Sequence, residues 1–268
     1  NKLTTSSFLP AVRNTDIMRG KTYVGIDFGT STTVVSIASY DQNNNLINTN
    51  SLRLKQKLPD GTLYSSEIVP SVIAWNNNQI LVGEGASQLK YYLKRGKNIW
   101  YSFKMELGED LGAKYYESEL RDVEPFCIRN PKDAARVFFA YLKYLITGYC
   151  NENNLSNDIL YAVSIPASFE ANQRKDLLDA LMANEMKVAK QALIDEPNAA
   201  FISYAMSRAI EGKPMLVNPE YNSKVLVFDF GGGTCDISIL EIGQNANGFF
   251  SKNIAISKFT KLGGDDID

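Results

Sequence analysis

The sequence predicts an α/β fold in which parallel strands form a sheet flanked by helices, and three observations carry that expectation. Between residues 131 and 212 helix-like and strand-like segments alternate, the signature of strands joined by helical crossovers. A strand that ends in an acid and a glycine-containing turn occurs twice, as VGIDFGTSTT at 24–33 and as VFDFGGGTCD at 227–236. The composition, 268 residues of which 44% are hydrophobic and 22% charged, is ordinary for a globular chain and supplies apolar material for one large or two medium domains.

Taken in order, residues 1–20 read as a leader or tail that lacks the compact apolar core of a signal peptide. KTYVGIDFG and TTVVSIASY are β-rich runs joined by a tight turn at Gly29-Thr30-Ser31, which makes a hairpin. The polar stretch DQNNNLINTN at 41–50 predicts a further turn or loop. IVPSVIAWNNNQILVGEGA at 68–86 gives two short strands around Asn76-Asn77-Asn78, and the charged, aromatic segment 90–120 is assigned to short helices. PKDAARVFFAYLKYLITGYCNENN at 131–154 has proline at the N1 position, apolar residues at helical spacing and an asparagine-rich stop. There follow strand ILYAVSIP, helix EANQRKDLLDALMANE, strand KVAKQALI and helix EPNAAFISYAMSRAIEG. After a proline-containing connector at 212–223 the opening pattern restarts as KVLVFDFGGG, TCDISILEIG and GFFSKNIAISKF, a three-strand meander that turns at 231–233. A meander with no helix to cover it leaves an apolar face bare, so the chain is expected to be a piece of a longer protein.

Composition excludes several chemistries. The chain has no histidine, and its three cysteines, Cys127, Cys150 and Cys235, lie far apart with no CxxC pair. A disulfide framework, a zinc site and Ser-His or Cys-His catalysis are thereby set aside, and the thiols are expected to be buried and structural. A net charge of −2 gives no basic surface for nucleic acid. No apolar run approaches the roughly 18 residues of a membrane span, so no membrane partner is expected and the expected compartment is cytoplasmic. Chemistry must rest on carboxylates, lysine, hydroxyls and backbone amides, with or without a metal.

The two turns are suited to that. An Asp-x-Gly-Thr turn between strands presents consecutive backbone N–H groups and small hydroxyls where no bulky side chain intrudes, a concavity that binds phosphate oxygens. The carboxylate ahead of each turn, Asp27 or Asp229, repels phosphate but can hold Mg²⁺ directly or through water, and two facing turns would grip a polyphosphate from both sides.

Asp27-Phe28-Gly29-Thr30, the run from Asp229 to Asp236, and IDEPNAA between them resemble the phosphate and connecting motifs of the actin, sugar kinase and heat-shock ATPase superfamily. IVPSVIAW, LVGEGA, NIWYSFKMELG, VSIPASFEANQR, LIDEPNAAFISYA and LGGDDID are similar, in order and wording, to the nucleotide-binding domain of the DnaK-type seventy-kilodalton heat-shock chaperones, from about Tyr23 to the last residue. The resemblance implies a ribonuclease-H-like, actin-type ATPase fold. Its first lobe would span 21–210 with an inserted subdomain at about 55–130, and 211–268 would begin a truncated second lobe. It implies ATP or ADP and Mg²⁺ as ligands and a Mg-dependent ATPase coupled to binding and release of unfolded peptide through a further C-terminal domain. Co-chaperones and a nucleotide-exchange factor would be its other partners.

Residue by residue, the resemblance places Asp27, Gly29, Thr30, Ser31 and Thr32 in a first phosphate loop and Asp229, Gly231, Gly232, Gly233 and Thr234 in a second. Lys104 matches the catalytic lysine that contacts phosphate and helps place the attacking water, with Glu196, Asp229 and Thr234 completing the catalytic set. Asp27, Asp229, Glu196 and Asp236 match acids that order the metal, mostly through water. Pro166 and Arg174 match a relay toward the peptide-binding domain. Phosphoryl transfer needs chiefly positioning and charge neutralisation, so this set suffices without histidine. Thr32-Thr33, Cys235 and the long asparagine-rich connectors at 41–67 and 210–224 depart from the commonest pattern and suggest a divergent member. An actin-like filament-forming ATPase or a small-molecule kinase shares both turns but explains SFKMELG and PASFEANQR less well, and a chaperone-like protein that binds nucleotide without turnover stays open.

Overall fold

In the computed structural model, which describes residues 19–43, 46–214, 222–245 and 248–257, the chain is mixed α/β. The first strands are β1 (Thr22–Phe28), β2 (Thr32–Tyr40), β3 (Leu46–Ser51), β4 (Leu54–Lys57), β5 (Leu63–Ser66), β6 (Ile68–Pro70), β7 (Val72–Asn76) and β8 (Gln79–Val82). They are followed by the short helix α1 (Glu84–Ser87), strand β9 (Ile99–Tyr101) and two 3-10 turns at Phe103–Glu106 and Gly112–Tyr115. Then come α2 (Pro131–Glu152), β10 (Ile159–Ile165), α3 (Ala171–Ala183), β11 (Val188–Asp195), α4 (Glu196–Ile210), β12 (Ser223–Phe230), β13 (Cys235–Asn245) and β14 (Gly248–Ile256). The expected leader falls almost wholly within 1–18, and the LGGDDID motif and most of the connector at 212–223 also lie outside the described residues.

A six-stranded sheet in the order β11-β10-β1-β2-β3, with β6 also on β2, is the core of the molecule. It is mixed rather than all parallel: β1, β10 and β11 run parallel, while β1, β2 and β3 are antiparallel. Alternation along β1 and β10 sends Val24, Ile26 and Phe28, and Tyr161, Val163 and Ile165, into one buried face. Helix α2 covers that face. Asn130 caps it by accepting from the Asp133 amide at 2.8 Å, Pro131 occupies its first position, and Phe138, Leu142, Ile146 and Cys150 recur every fourth residue on its buried stripe. Phe28, at the end of β1, meets Phe139, Phe138 and Phe103 at ring-centroid distances of 5.0, 5.8 and 6.1 Å. The strand end that carries the first acid-glycine turn is therefore seated among four phenylalanines of the core, where truncating one Phe costs about 3–5 kcal/mol.

Other sequence expectations are corrected or refined. The stretch 41–50 contains not only a turn but most of β3, which pairs antiparallel with β2; an edge strand needs a backbone partner more than apolar side chains, so asparagine does not exclude it. The segment 90–120 forms short helices only as the two 3-10 turns; its first part instead contains left-handed Gly96 (φ 79°) and the strand β9, which joins β7, and left-handed Gly108 (φ 77°) separates the two turns. The connector 41–67 also holds the β4-β5 hairpin, with Leu54 and Gln56 turned inward. Asn77 and Asn78, both at positive φ (50° and 55°), form the two-residue turn between β7 and β8, as their place in the sequence suggested.

The second sheet is the meander β12-β13-β14. Leu240 and Ile242 of β13 pack on Phe201 of α4. The other side of β12 carries Leu226, Phe228 and Phe230 at 65%, 61% and 46% exposure, the bare face anticipated from the pattern. Cys127 and Cys150 are buried; Cys235 is only half-buried, unlike the expectation for all three thiols. Among the described residues no helix is long and apolar enough to cross a membrane.

Candidate functional site

The first turn is stitched to the neighbouring strand by Ser71, a residue for which the sequence pattern predicted no role. Ser71, in the break between β6 and β7, donates its hydroxyl to the Gly29 carbonyl at 2.8 Å and its amide to the Ser31 carbonyl at 2.8 Å. Its hydroxyl also lies 2.9 Å from the buried Thr33 hydroxyl. Gly29 must lack a side chain, because a Cβ there would run into the Thr32 carbonyl. Asp27, which alternates away from the core, faces the cleft and accepts from Ser164 of β10 at 2.6 Å.

The second turn is closed by the Gly231 amide donating to the Thr234 carbonyl at 2.9 Å. Asp229 and Asp236 stand opposite one another in the β12-β13 ladder. Asp236 is buried, accepts from Ser168 at 2.9 Å through Oδ1, and has no hydrogen-bond partner for Oδ2 among the described residues. The two turns touch: a Cβ on Gly233 would lie 2.5 Å from Thr30 Cγ2. This contact is where the repeated pattern in the sequence becomes one site.

Between the turns lies an ion pair. Lys104 rises from the 3-10 turn at Phe103–Glu106 at only 4% exposure, and its Nζ is 2.8 Å from Oε1 of Glu196, the first residue of α4. The ammonium also sits 5.7 and 5.9 Å from the ring centroids of Phe28 and Phe169. Burial pushes the Glu196 carboxyl above its ordinary value; Lys104 opposes that rise, and Asp229 and Asp27 add to it. Asp229 is raised as well, first by desolvation in the cleft although the residue is exposed, then by Asp236, with Lys104 acting in the opposite sense. The site is thus a cluster of acids held against their own repulsion by one buried lysine.

These groups line a cleft of about 600 Å³ that gathers Asp27, Gly29, Thr30, Ser31, Thr32, Lys104, Glu196, Asp229, Gly231, Gly232 and Thr234. Gly233 and Asp236 lie outside the lining, Asp236 being buried within β13. Pro166 and Arg174 also lie outside it. Arg174 donates to the Phe169 carbonyl at 3.0 Å and to Asp195 Oδ1 at 2.8 Å, tying the loop after Pro166 to the residue before Glu196. Beside the cleft, polar side chains cross from the central sheet to the meander: Asn253 donates to Asp195 Oδ2 at 2.9 Å, and Asn198 meets both Asn253 and Ser251. Among the described residues no three acids or thiols gather closely enough to ligate one ion directly. Sequence reasoning missed Ser71, Ser164 and Ser168; each stands inside a recognisable motif, yet a serine between strands carries no local signal of the bond it will make.

Comparison with known proteins bears on what this cleft belongs to. The family described as Hsp70 protein matches residues 23–268. A heat shock cognate HSP70 protein of Trypanosoma brucei brucei is 34% identical over 223 residues, 74% of this chain, and the chain spans 29% of that relative's length. With a family match that runs from β1 to the last residue and takes in both turns, the chain belongs to the Hsp70 family.

Proposed function

We propose that the cleft binds ATP and hydrolyses it with Mg²⁺, as the nucleotide-binding part of a DnaK-like chaperone whose cycle governs binding and release of unfolded peptide by a further domain. Residues 21–210 are read as the first lobe of a ribonuclease-H-like, actin-type fold, with an insertion at about 55–130, and 211–268 as the start of the second. Clients, co-chaperones and a nucleotide-exchange factor would engage the whole protein, in the cytoplasm. The observation that carries the reading is the buried Lys104–Glu196 pair in a cleft whose walls are the two acid-glycine turns.

The residues divide the work by their chemistry. The backbone amides of the turns, with Thr30, Ser31, Thr32 and Thr234, hold phosphate oxygens from two sides. Lys104 supplies the positive charge where negative charge develops on the transferred phosphoryl group. Glu196 and Asp229, whose carboxyls burial and neighbouring acids push above their ordinary values, favour a cation in their midst. The acids Asp27, Asp229, Glu196 and Asp236, too dispersed to ligate one ion together, fit a hydrated Mg²⁺ held largely through its waters. When bound, Mg²⁺ would neutralise phosphate charge and help to orient the substrate. The test is Lys104→Ala in the full-length protein: nucleotide binding stays mostly intact while single-turnover hydrolysis falls about 10²-fold or more. Unchanged turnover removes Lys104 from the chemistry.

A further inference from the structure

Glu106 holds neither phosphate nor metal in the proposed reaction, yet it is 6% exposed and its carboxylate meets three donors. Arg95 Nη2 reaches Oε1 at 3.1 Å, Lys114 pairs with the same oxygen, and the Tyr115 hydroxyl donates to Oε2 at 2.7 Å. Burial and the carboxylate push the Tyr115 phenol above its ordinary value, which keeps it a donor. Glu106 is also the last residue of the 3-10 turn that carries Lys104, and all four residues of that turn are buried.

The turn needs an anchor. It starts from Ser102 in the left-handed region, at φ 56°, a conformation that a non-glycine residue holds only when its surroundings impose it. Arg95 secures the strand before the turn by donating to the Tyr101 carbonyl at 3.1 Å while lying over the Tyr101 ring. Beyond the turn, Gly108 is held on both sides by α3, its amide donating to Asp176 at 2.9 Å and its carbonyl accepting from Asn172 at 2.9 Å. Apolar packing alone would permit the turn to roll, whereas charge-assisted hydrogen bonds fix distance and angle. We propose that Glu106, clamped by Arg95, Lys114 and Tyr115, is a positioning residue that aims Lys104 into the phosphate cleft. This rests on the proposed role of Lys104 in hydrolysis.

The experiment is a double-mutant cycle in the full-length protein, read by single-turnover ATP hydrolysis and by nucleotide titration. Glu106→Ala lowers the hydrolysis rate about 10- to 100-fold, the scale of an ångström-level misplacement, and changes nucleotide Kd by no more than about threefold. Glu106→Gln, which keeps the shape and a hydrogen bond for Tyr115, falls in between. Tyr115→Phe removes one hydroxyl and slows hydrolysis about three- to tenfold. In a Lys104→Ala background Glu106→Ala adds no further loss, because there is no longer a lysine to aim. The proposal is overturned if Glu106→Ala hydrolyses ATP at the wild-type rate, or if its loss recurs in full without Lys104. Should Glu106→Ala fail to fold, Glu106→Gln and Tyr115→Phe complete the same cycle and decide the matter in the same way. A slow Lys104→Ala beside an unimpaired Glu106 variant overturns only the positioning role; a Lys104→Ala that hydrolyses normally overturns the functional reading, and this role with it.

Discussion

Replacing Gly233 by alanine isolates the contact between the two turns. The added methyl carbon would lie 2.5 Å from Thr30 Cγ2, 3.1 Å from Thr30 Cβ and 3.2 Å from Thr30 Oγ1, whereas carbon atoms rest about 3.5–4.0 Å apart. Thr30 is buried and β-branched, and turning its side chain exchanges one close atom for another while Cβ stays where it is. The turns must therefore part by about 1 Å, a displacement that costs on the order of 10²-fold in a reaction dependent on alignment. The backbone of Gly233 is not left-handed, so alanine adds no conformational strain of its own and the loss reports the steric term. Single-turnover hydrolysis should fall about 10- to 100-fold, with a weaker grip on ATP in a titration. Thr30→Ser, which removes the nearest carbon and keeps the hydroxyl, should recover part of the loss in the Gly233→Ala background. If Gly233→Ala binds and hydrolyses ATP as the parent does, the turns do not act as one clamp and the reasoning fails.

Ser71→Ala removes the hydroxyl shared with Gly29 and leaves the buried Thr33 hydroxyl unpaired; denaturant unfolding should show a loss of about 1–3 kcal/mol. Asp229 titrates above its unfolded value, so the folded protein binds protons more tightly than the unfolded chain, and stability falls as pH rises from about 4 through the raised pKa. Asp229→Asn should therefore raise the melting temperature of the nucleotide-free protein at neutral pH, and the gain should vanish below the ordinary carboxylate range; a gain independent of pH refutes the assignment. Asp27→Asn and Asp229→Asn should each reduce the Mg²⁺ dependence of ATP binding, as measured by calorimetry with and without the ion. Amide exchange in β12–β14 should outpace that in the central sheet, since Leu226, Phe228 and Phe230 are exposed among the described residues while the central strands are buried on one face.

Periodicity made some elements readable and left others hidden. Helix α2 could be placed to within two residues because Pro131 and an apolar stripe at four-residue spacing speak locally. Strand β3 could not, because its reason for being extended is the backbone of β2 and nothing in its asparagines announces a partner. Segment 90–120 was readable only in part for a related reason: charged and aromatic residues allow a longer helix, but left-handed Gly96, Ser102 and Gly108 interrupt it and leave two 3-10 turns. At the site, the repeated acid-glycine turn marks Asp27, Gly29, Thr30, Asp229, Gly231 and Thr234, which share one cleft. The supports Ser71, Ser164 and Ser168 are bonds formed across 42, 137 and 68 positions of chain, which no local pattern can encode.

The crossing between the central sheet and the meander has a mechanical consequence. Asp195, Asn198, Ser251 and Asn253 meet there through hydrogen bonds, each of which water can replace at a net cost of only about 0.5–1.5 kcal/mol. Beside it, among the described residues, the apolar fastening is Phe201 with Leu240 and Ile242, against which Tyr204, Val225 and Val227 pack. Directional bonds that are cheap to trade act as a detent rather than a weld: they set an orientation more than they lock it. Asp195 shares its carboxylate between Arg174 on one side and Asn253 on the other, and the next residue is Glu196. The junction between the two sheets and the acid beside Lys104 are thus separated by a single peptide bond.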